Sequence, residues 1–163
     1  MATASPDPGS PAARRSAEAA LRTVIAKHAP AHAPLIATLR RAIRKRLPTA
    51  HELIYEYTSW LAISYSPNDH GYDGVLAIRA DAKGVALYLS RGKELPDPEK
   101  LLRGSGKLVR FVPIDSAATL RRPAVTRLVD EAIARNPIPF PRTGTGSIVM
   151  QSASTKPRRR SKS

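Results

Sequence analysis

One segment, residues 95–110, constrains the path of this chain more than any other. It reads LPDPEKLLRGSGKLVR and combines two prolines, a turn with a carboxylate and a Gly-Ser-Gly-Lys turn. Proline lacks a backbone N–H and restricts the residue before it, and glycine adopts turn conformations that other residues resist. The pattern predicts one helical turn at residues 98–102, followed by a strand at residues 108–114.

Four further strand candidates precede this segment, at residues 53–57, 60–66, 74–80 and 85–90. The last two flank the sequence Asp-Ala-Lys-Gly at residues 81–84, which is typical of a hairpin turn. Five strands joined mostly by short connections pair with their neighbours in sequence, so we expect a mainly antiparallel five-stranded sheet.

Helical periodicity occurs on both sides of the strands. Residues 17–27 and 34–47 predict two helices before the sheet, and residues 122–135 predict one after it. The second helix carries cations on its polar face: Arg40, Arg41, Arg44, Lys45 and Arg46. Helices that flank an antiparallel sheet in sequence pack against one of its faces. The predicted fold is therefore an α+β two-layer sandwich, with the N- and C-terminal helices on one face.

The chain of 163 residues is long enough for one domain with a core of its own. Residues 1–16 and 138–163 are rich in small, polar and proline residues, and we expect both to be disordered. Residues 148–150 are an exception, as a short extended piece. The predicted domain spans residues 17–137.

Positive charge dominates the composition, with 27 lysines and arginines against 13 aspartates and glutamates, a formal charge of +14. Half of this excess lies on the predicted tails, since residues 1–16 carry a net charge of +1 and six basic and no acidic residues follow residue 137. A basic excess favours contact with nucleic acid, anionic lipid or acidic proteins.

The absence of cysteine excludes disulfides, thiolate metal sites and cysteine nucleophiles. The first residues lack the order of a signal peptide, and no apolar run approaches membrane-spanning length. We therefore expect a cytoplasmic protein without a membrane partner.

Four motifs follow one another along the chain: ELIYEY at 52–57, ISYSP at 63–67, LPDP at 95–98 and LLRGSGK at 101–107, with Arg110 after them. In these motifs the chain resembles the YdhG-like domain family of unknown function, over residues 33–135. The resemblance implies a frataxin-like fold, with terminal helices on an antiparallel sheet. One branch of that family is described as iron chaperones, which implies Fe²⁺ as cargo and an iron-accepting protein as partner.

Under this resemblance the candidate iron ligands are carboxylates: Glu52, Glu56, Asp69 and Asp73. Two other interpretations stay open for them. Glu52 and Glu56 suit ion pairs with the arginines of the second helix. Asp69 and Asp73 lie in the sequence Pro-Asn-Asp-His-Gly-Tyr-Asp-Gly, which is also ordinary turn chemistry.

A second hypothesis is a module that binds anions or nucleic acid. The candidate phosphate contacts are Arg40, Arg41, Arg44 and Lys45 on the helix, Lys107 and Arg110 beside the Gly-Ser-Gly-Lys turn, and Arg158, Arg159 and Arg160 in the tail. The tail arginines would act as a nonspecific electrostatic arm. Aromatic residues of the predicted sheet are either stacking platforms for bases or sheet packing: Tyr55, Tyr57, Trp60, Tyr65, Tyr72 and Tyr88.

No motif indicates catalysis, and we predict a non-enzymatic binding domain. A phosphate-binding Walker loop would need glycine at position 101 and serine or threonine at position 108, and both positions are leucine. A third hypothesis, an enzyme that acts on a small anionic substrate at Asp97, Lys107 and Arg110, rests on the density of motifs around them.

Overall fold

The computed structural model describes residues 9–151, which form four α-helices and six strands. The helices are α1 (Pro11–His28), α2 (Ala33–Arg46), α3 (Ala117–Arg121) and α4 (Pro123–Ala134). The strands are β1 (His51–Glu56), β2 (Trp60–Ser66), β3 (Leu76–Asp81), β4 (Val85–Leu89), β5 (Arg110–Ile114) and β6 (Ile148–Gln151). The α+β class predicted from the sequence is confirmed. No helix within residues 9–151 is long and apolar enough to cross a membrane.

The sheet is mixed and has the strand order β5-β4-β3-β2-β1-β6. Strands β1 to β5 form an antiparallel meander, as predicted. Strand β6 adds a sixth member, which pairs in parallel with β1 and places Ile148 opposite Glu52. The short extended piece predicted at residues 148–150 is this strand, but the predicted five-stranded sheet left it out, because residues 138–147 are rich in proline, glycine and threonine and resemble a disordered tail.

Gly146 explains why β6 can lie so close to the start of β1. A Cβ atom at this position would collide with the backbone carbonyl of Ala50. The Gly146 N–H donates to the carbonyl of Pro48 over 3.3 Å, and the next carbonyl, of Ser147, accepts from the N–H of Glu52 over 2.8 Å. Close approach of two backbones requires glycine here, so residues 146–151 of the segment predicted as a tail are part of the fold.

Helix α1 begins six residues before the predicted boundary at residue 17. The hydroxyl of Ser10 accepts a hydrogen bond from the N–H of Ala13 over 3.1 Å, and Pro11 occupies the first turn. A serine cap followed by proline is a standard start for a helix. As a consequence, Arg14 and Arg15 are ordered residues of α1 rather than part of a disordered segment.

The core lies between the helices and one face of the sheet. Alternate residues of the strands pack against apolar residues of α1, α2 and α4, and the largest of them are fully buried: Leu21, Ile36, Leu39, Ile54, Leu61, Ile63, Tyr65, Leu76, Ile78, Leu87 and Leu89. This arrangement agrees with the predicted two-layer packing. It also defines a helix-covered face, which carries Glu52, Ile54 and Glu56 of β1.

The opposite face of the sheet carries a row of stacked side chains. Tyr57 stacks on Trp60 with ring centroids 3.8 Å apart, and the guanidinium of Arg79 lies 3.8 Å from the Trp60 centroid. Tyr88 stacks on Phe111 at 4.9 Å. The flat faces of these rings are turned towards one another, which favours the interpretation of these aromatics as sheet packing.

The last predicted helix, over residues 122–135, is confirmed as α4 (Pro123–Ala134), and a short helix that the sequence did not predict, α3, precedes it. Arg122 has an extended backbone (φ −61°, ψ 134°) and separates α3 from α4. The cause is Pro123, because a proline disfavours helical geometry in the residue before it.

Within residues 95–110, the chain forms a turn at residues 98–99, where the sequence predicts one helical turn over residues 98–102. Both carboxylate oxygens of Asp97 accept backbone N–H groups, from Leu101 and Leu102, over 2.8 Å each. Gly104 has φ +114° and Arg103 pairs with Phe111 through two backbone hydrogen bonds. Strand β5 therefore begins at Arg110, two residues later than predicted.

Candidate functional site

A groove between α1 and α2 is lined by a cluster of arginines. On α1, Arg14, Glu18 and Arg22 are spaced by four residues, so they share one face of the helix. On α2, Arg44 faces them. A cavity of about 350 Å³ is lined by Arg14, Arg15, Glu18, Arg22 and Arg44, and we refer to it as the arginine groove.

The groove continues along the two helices into a larger and more apolar cavity of about 660 Å³. Glu18 and Arg22 line both cavities, and Arg40 closes the second one towards the core. The two cavities therefore adjoin on the α1–α2 pair, and we refer to them together as the depression.

The floor of this depression is an ion-pair network centred on Arg40. Its guanidinium donates to Glu18 Oε1 over 2.9 Å, to Glu52 Oε2 over 2.9 Å and to Glu52 Oε1 over 2.7 Å. Arg44 donates to Glu52 Oε1 over 3.2 Å and lies 3.6 Å from Glu18. The hydroxyl of Tyr65 completes the set with a 2.6 Å hydrogen bond to Glu52 Oε2.

The central pair of this network, Arg40 and Glu52, is largely buried. The Glu52 side chain is only 2% exposed. Hydrogen bonding from Arg40 holds the pKa of Glu18 below its ordinary value. Burial would lower the pKa of Arg40, but hydrogen bonds to Glu52 and Glu18 outweigh that effect and raise it. Burial, reinforced by the charge of Glu52, raises the pKa of Tyr65 well above its ordinary value, so its hydroxyl remains a donor.

Towards solvent, the groove and the adjoining exposed face of α2 present cations that lack an acidic partner. Within residues 9–151, no carboxylate lies within 4 Å of Arg15, Arg22 or Lys45. Arg41 donates to the hydroxyl of Thr38 over 3.2 Å. Five arginines line the groove and its floor against the two carboxylates Glu18 and Glu52, so the site has a net positive charge and suits an anion.

The carboxylates predicted as iron ligands do not converge. Glu52 is occupied by Arg40, Arg44 and Tyr65. Glu56 accepts from His28 Nε2 over 2.8 Å and lies 3.2 Å from Lys27 Nζ. The hydrogen bond from His28 holds the pKa of Glu56 below its ordinary value.

Asp69 and Asp73 belong to the loop that covers the other face of the sheet. Two glycines of this loop, Gly71 and Gly74, press against Tyr55 and Ser64, which point away from the helices. Asp73 accepts from Asn68 Nδ2 over 3.0 Å, and Asp69 is exposed.

These contacts place the four carboxylates on two sides of the sheet. Across residues 9–151, no group of three or more histidines, cysteines or acidic residues is arranged to hold a metal ion. The residues present therefore do not fit an iron site. Glu52 pairs with arginines of α2, as the alternative interpretation predicted, whereas Glu56 pairs with Lys27 and His28 of α1.

The sequence-predicted anion contacts separate into three groups. One group lies on α2 and consists of Arg40, Arg41, Arg44 and Lys45. In this group, the guanidinium of Arg40 is already hydrogen-bonded to Glu18 and Glu52. Lys107 is exposed beside β5, at the sheet edge opposite β6, and Arg110 Nη1 donates to the carbonyls of Gly106 and Val109. Arg158, Arg159 and Arg160 lie outside the described residues.

The loop around Lys107 is organised by its own backbone contacts. The carboxylate of Asp97 is held by two N–H groups, and Arg110 is held by two carbonyls. This arrangement favours a structural role for both side chains over a role in catalysis.

Sequence reasoning missed the α1 half of the groove. Arg14 and Arg15 were assigned to a disordered segment, yet Arg14 Nη2 donates to the carbonyl of Gly146 over 2.8 Å and links α1 to β6. The signal that would have revealed them is the Ser10-Pro11 helix start, followed by a run of helix-forming alanines.

Comparison of the chain with protein-family models, with curated proteins and with solved structures gave no match. The resemblance to the YdhG-like family therefore rests on the four motifs alone, and function must be argued from the geometry of the site.

Proposed function

We propose that this domain binds nucleic acid without sequence preference, through phosphate contacts in the arginine groove. The observation that carries the proposal is a surface cavity lined by four arginines and one carboxylate. The guanidinium fork matches phosphate geometry and donates two parallel hydrogen bonds. Release of condensed counterions from the polymer supplies much of the binding free energy.

The shape of the cationic surface favours a chain of phosphates over a single ion. Arg41 and Lys45 extend the positive charge along the exposed face of α2, one helical turn apart, beside the groove. Arg40 does not contact the ligand in this proposal. It ties Glu18 to the floor, so that Glu18 neutralises less of the groove's charge.

The frataxin-like arrangement implied by the resemblance is retained as part of the proposal. Two helices before β1 and two after β5, packed on one face, support it. We do not propose iron as the cargo, because Glu52 and Glu56 are already paired with cations of α1 and α2.

The test is fluorescence anisotropy of a labelled single-stranded DNA titrated with the full chain at several salt concentrations. The site variant is Arg15→Gln/Arg22→Gln/Lys45→Gln. The control is Lys83→Gln/Lys93→Gln/Lys100→Gln, which removes the same charge from exposed positions near β4 and β5. We expect the site variant to bind about tenfold more weakly and to reduce the salt slope by roughly two, since each lost phosphate contact on a single strand removes about 0.7.

The control variant should retain most of the affinity. Equal weakening by the two variants would mean that net charge alone drives the interaction, and the groove would lose its assigned role. Absence of any salt-dependent binding by the full chain would also overturn the proposal.

A second arm separates the groove from the basic tail. A chain ending at Gln151 removes five lysines and arginines but leaves every described strand in place. We expect it to bind more weakly and to remain sensitive to the groove variant. Complete loss of binding on this truncation would assign the activity to residues 152–163 instead.

A further inference from the structure

Another cavity, of about 410 Å³, lies between α2, α3 and α4, away from the arginine groove. Its lining is mostly aliphatic, and the apolar side chains are Ile43, Leu47, Leu76, Leu120 and Val129. Ligand sites of this size and character are typical places for small molecules with an apolar body.

The cavity is associated with the break between α3 and α4. Pro123 forces Arg122 out of helical geometry, so α3 ends and the chain turns before α4 begins. Leu120 of α3 and Val129 of α4 therefore line the same space from two directions. A continuous helix over residues 117–134 would not present both side chains in this way.

The rim of the cavity is polar and carries one more positive than negative charge. Arg46 donates to Asp130 Oδ1 from Nε over 3.1 Å and from Nη2 over 2.8 Å. This pair bridges α2 and α4 and neutralises both partners. Arg121 also lines the cavity, and no carboxylate lies within 4 Å of it among residues 9–151.

We propose that this cavity binds a small amphiphile with one carboxylate and an aliphatic body, of the class of medium-chain fatty acids. The carboxylate pairs with Arg121 at the rim, and the hydrocarbon lies on Leu47, Leu76 and Val129. Charge complementarity selects the anionic head, because Arg121 is the rim cation left without a partner. The aliphatic lining selects the tail, since burial of each methylene is favourable.

The experiment is an NMR titration of the full chain with octanoate, followed through backbone amide shifts. Octanol serves as the neutral probe with the same tail, and butanoate as the anion with too short a tail. We expect saturable octanoate shifts at Leu120, Thr126 and Val129. Butanoate should give no saturable change there, and octanol should bind more weakly than octanoate.

Two arginine variants test the head-group contact. Arg121→Gln should weaken octanoate binding by about threefold to tenfold, the range for a partly solvated ion pair, and leave octanol unchanged. Arg127→Gln removes an exposed charge of α4 that lies 3.8 Å from Glu99, outside the lining, and should have no effect. Both positions are exposed, so both variants should fold.

A third variant tests the tail contact. Val129→Phe fills the space between α3 and α4 and should abolish the binding of octanoate and octanol alike. The proposal is overturned if octanoate gives no saturable shifts around the cavity. It is also overturned if Arg121→Gln and Arg127→Gln weaken octanoate equally, or if Val129→Phe folds and still binds it.

Discussion

The hydroxyl of Tyr65 donates a 2.6 Å hydrogen bond to the carboxylate of Glu52, its cross-strand partner on the helix-covered face of the sheet. Two arginines of α2 approach the same carboxylate from the helix layer. Glu52 thus joins the two layers of the domain and sets the floor of the arginine groove. The side chain whose motif suggested an iron ligand instead holds an internal charge network.

Replacement of Glu52 by alanine should destabilise the domain strongly. Arg40 would keep its charge in a half-buried site and lose its principal partner, and breaking such a pair costs about 3–5 kcal/mol. Urea unfolding followed by circular dichroism measures the change. The control is Glu131→Ala, which removes an exposed i, i+4 pair with Arg135 and should cost less than about 0.5 kcal/mol. Similar unfolding midpoints for the two variants would contradict the structural role of Glu52.

Replacement of Tyr65 by phenylalanine removes one donor from Glu52 and should cost about 1–3 kcal/mol. The pH dependence gives a second test. Because the pKa of Tyr65 is raised in the folded state, stability should be constant up to the ordinary tyrosine pKa of about 10 and fall above it, where only the unfolded chain loses the proton. The alkaline decrease should be shallower in Tyr65→Phe. An identical alkaline profile in both proteins would show that another group causes the decrease.

Stability should also decrease in acid. Glu18 and Glu56 both have a pKa lowered from the ordinary value of 4.5, through hydrogen bonds from Arg40 and His28. A lowered carboxyl pKa contributes stability that is fully present above the unfolded value and disappears as pH falls through the folded value. Thermal unfolding should therefore show a decrease in Tm below pH 4.5, and this decrease should be smaller in Glu18→Gln. The exposed control Glu99→Gln should keep the parental acid profile.

The close contact between Gly146 and Ala50 predicts that one methyl group added at position 146 displaces β6 and lowers the stability of the domain. Gly146→Ala would push the segment away from the backbone of Ala50 and should cost about 1–3 kcal/mol, as overpacking does elsewhere. Gly84→Ala is the matched control, because a Cβ there meets nothing within 4 Å. Urea midpoints compare the two variants, and equal values would show that β6 contributes nothing to stability.

Truncation provides an independent measure of the same strand. A chain ending at residue 137 would lose β6 and leave β1 as an unprotected edge beside the buried Leu53. We expect this chain to be less stable and more prone to aggregate than a chain ending at residue 151. Equal midpoints of thermal unfolding for the two truncated chains would show that β6 does not stabilise the domain. The predicted end of the domain at residue 137 would then be supported.

Several elements follow from local sequence with little ambiguity. Strand β2 has the bounds that its aromatic and β-branched run predicts, and α2 differs from its predicted bounds by one residue at each end. Local patterns succeed there because periodicity directly encodes which face of an element is apolar. They fail at α3, a helix of five residues that is too short to show a periodic pattern, and at β6, where the predicted extended piece follows a segment that resembles a disordered tail.

Only half of the candidate site could be predicted from such local patterns. The cations of α2 are visible as a helical face, but their partners are not. Arg40 and Glu52 are 12 residues apart, and Glu52 and Tyr65 are 13 apart, on different elements. A carboxylate motif alone does not indicate whether its charge will meet a metal ion or an arginine.

The sequence by itself determined the α+β class, the order of the helices and of the first five strands, and the excess of positive charge, because these depend on composition and on periodicity within short segments. Only the tertiary structure decided that β6 pairs in parallel with β1, that the predicted iron ligands lie on two sides of the sheet, and that α1 supplies half of the cationic groove. The physical reason is that these features depend on contacts between distant segments, whose geometry is set by the packing of the whole core.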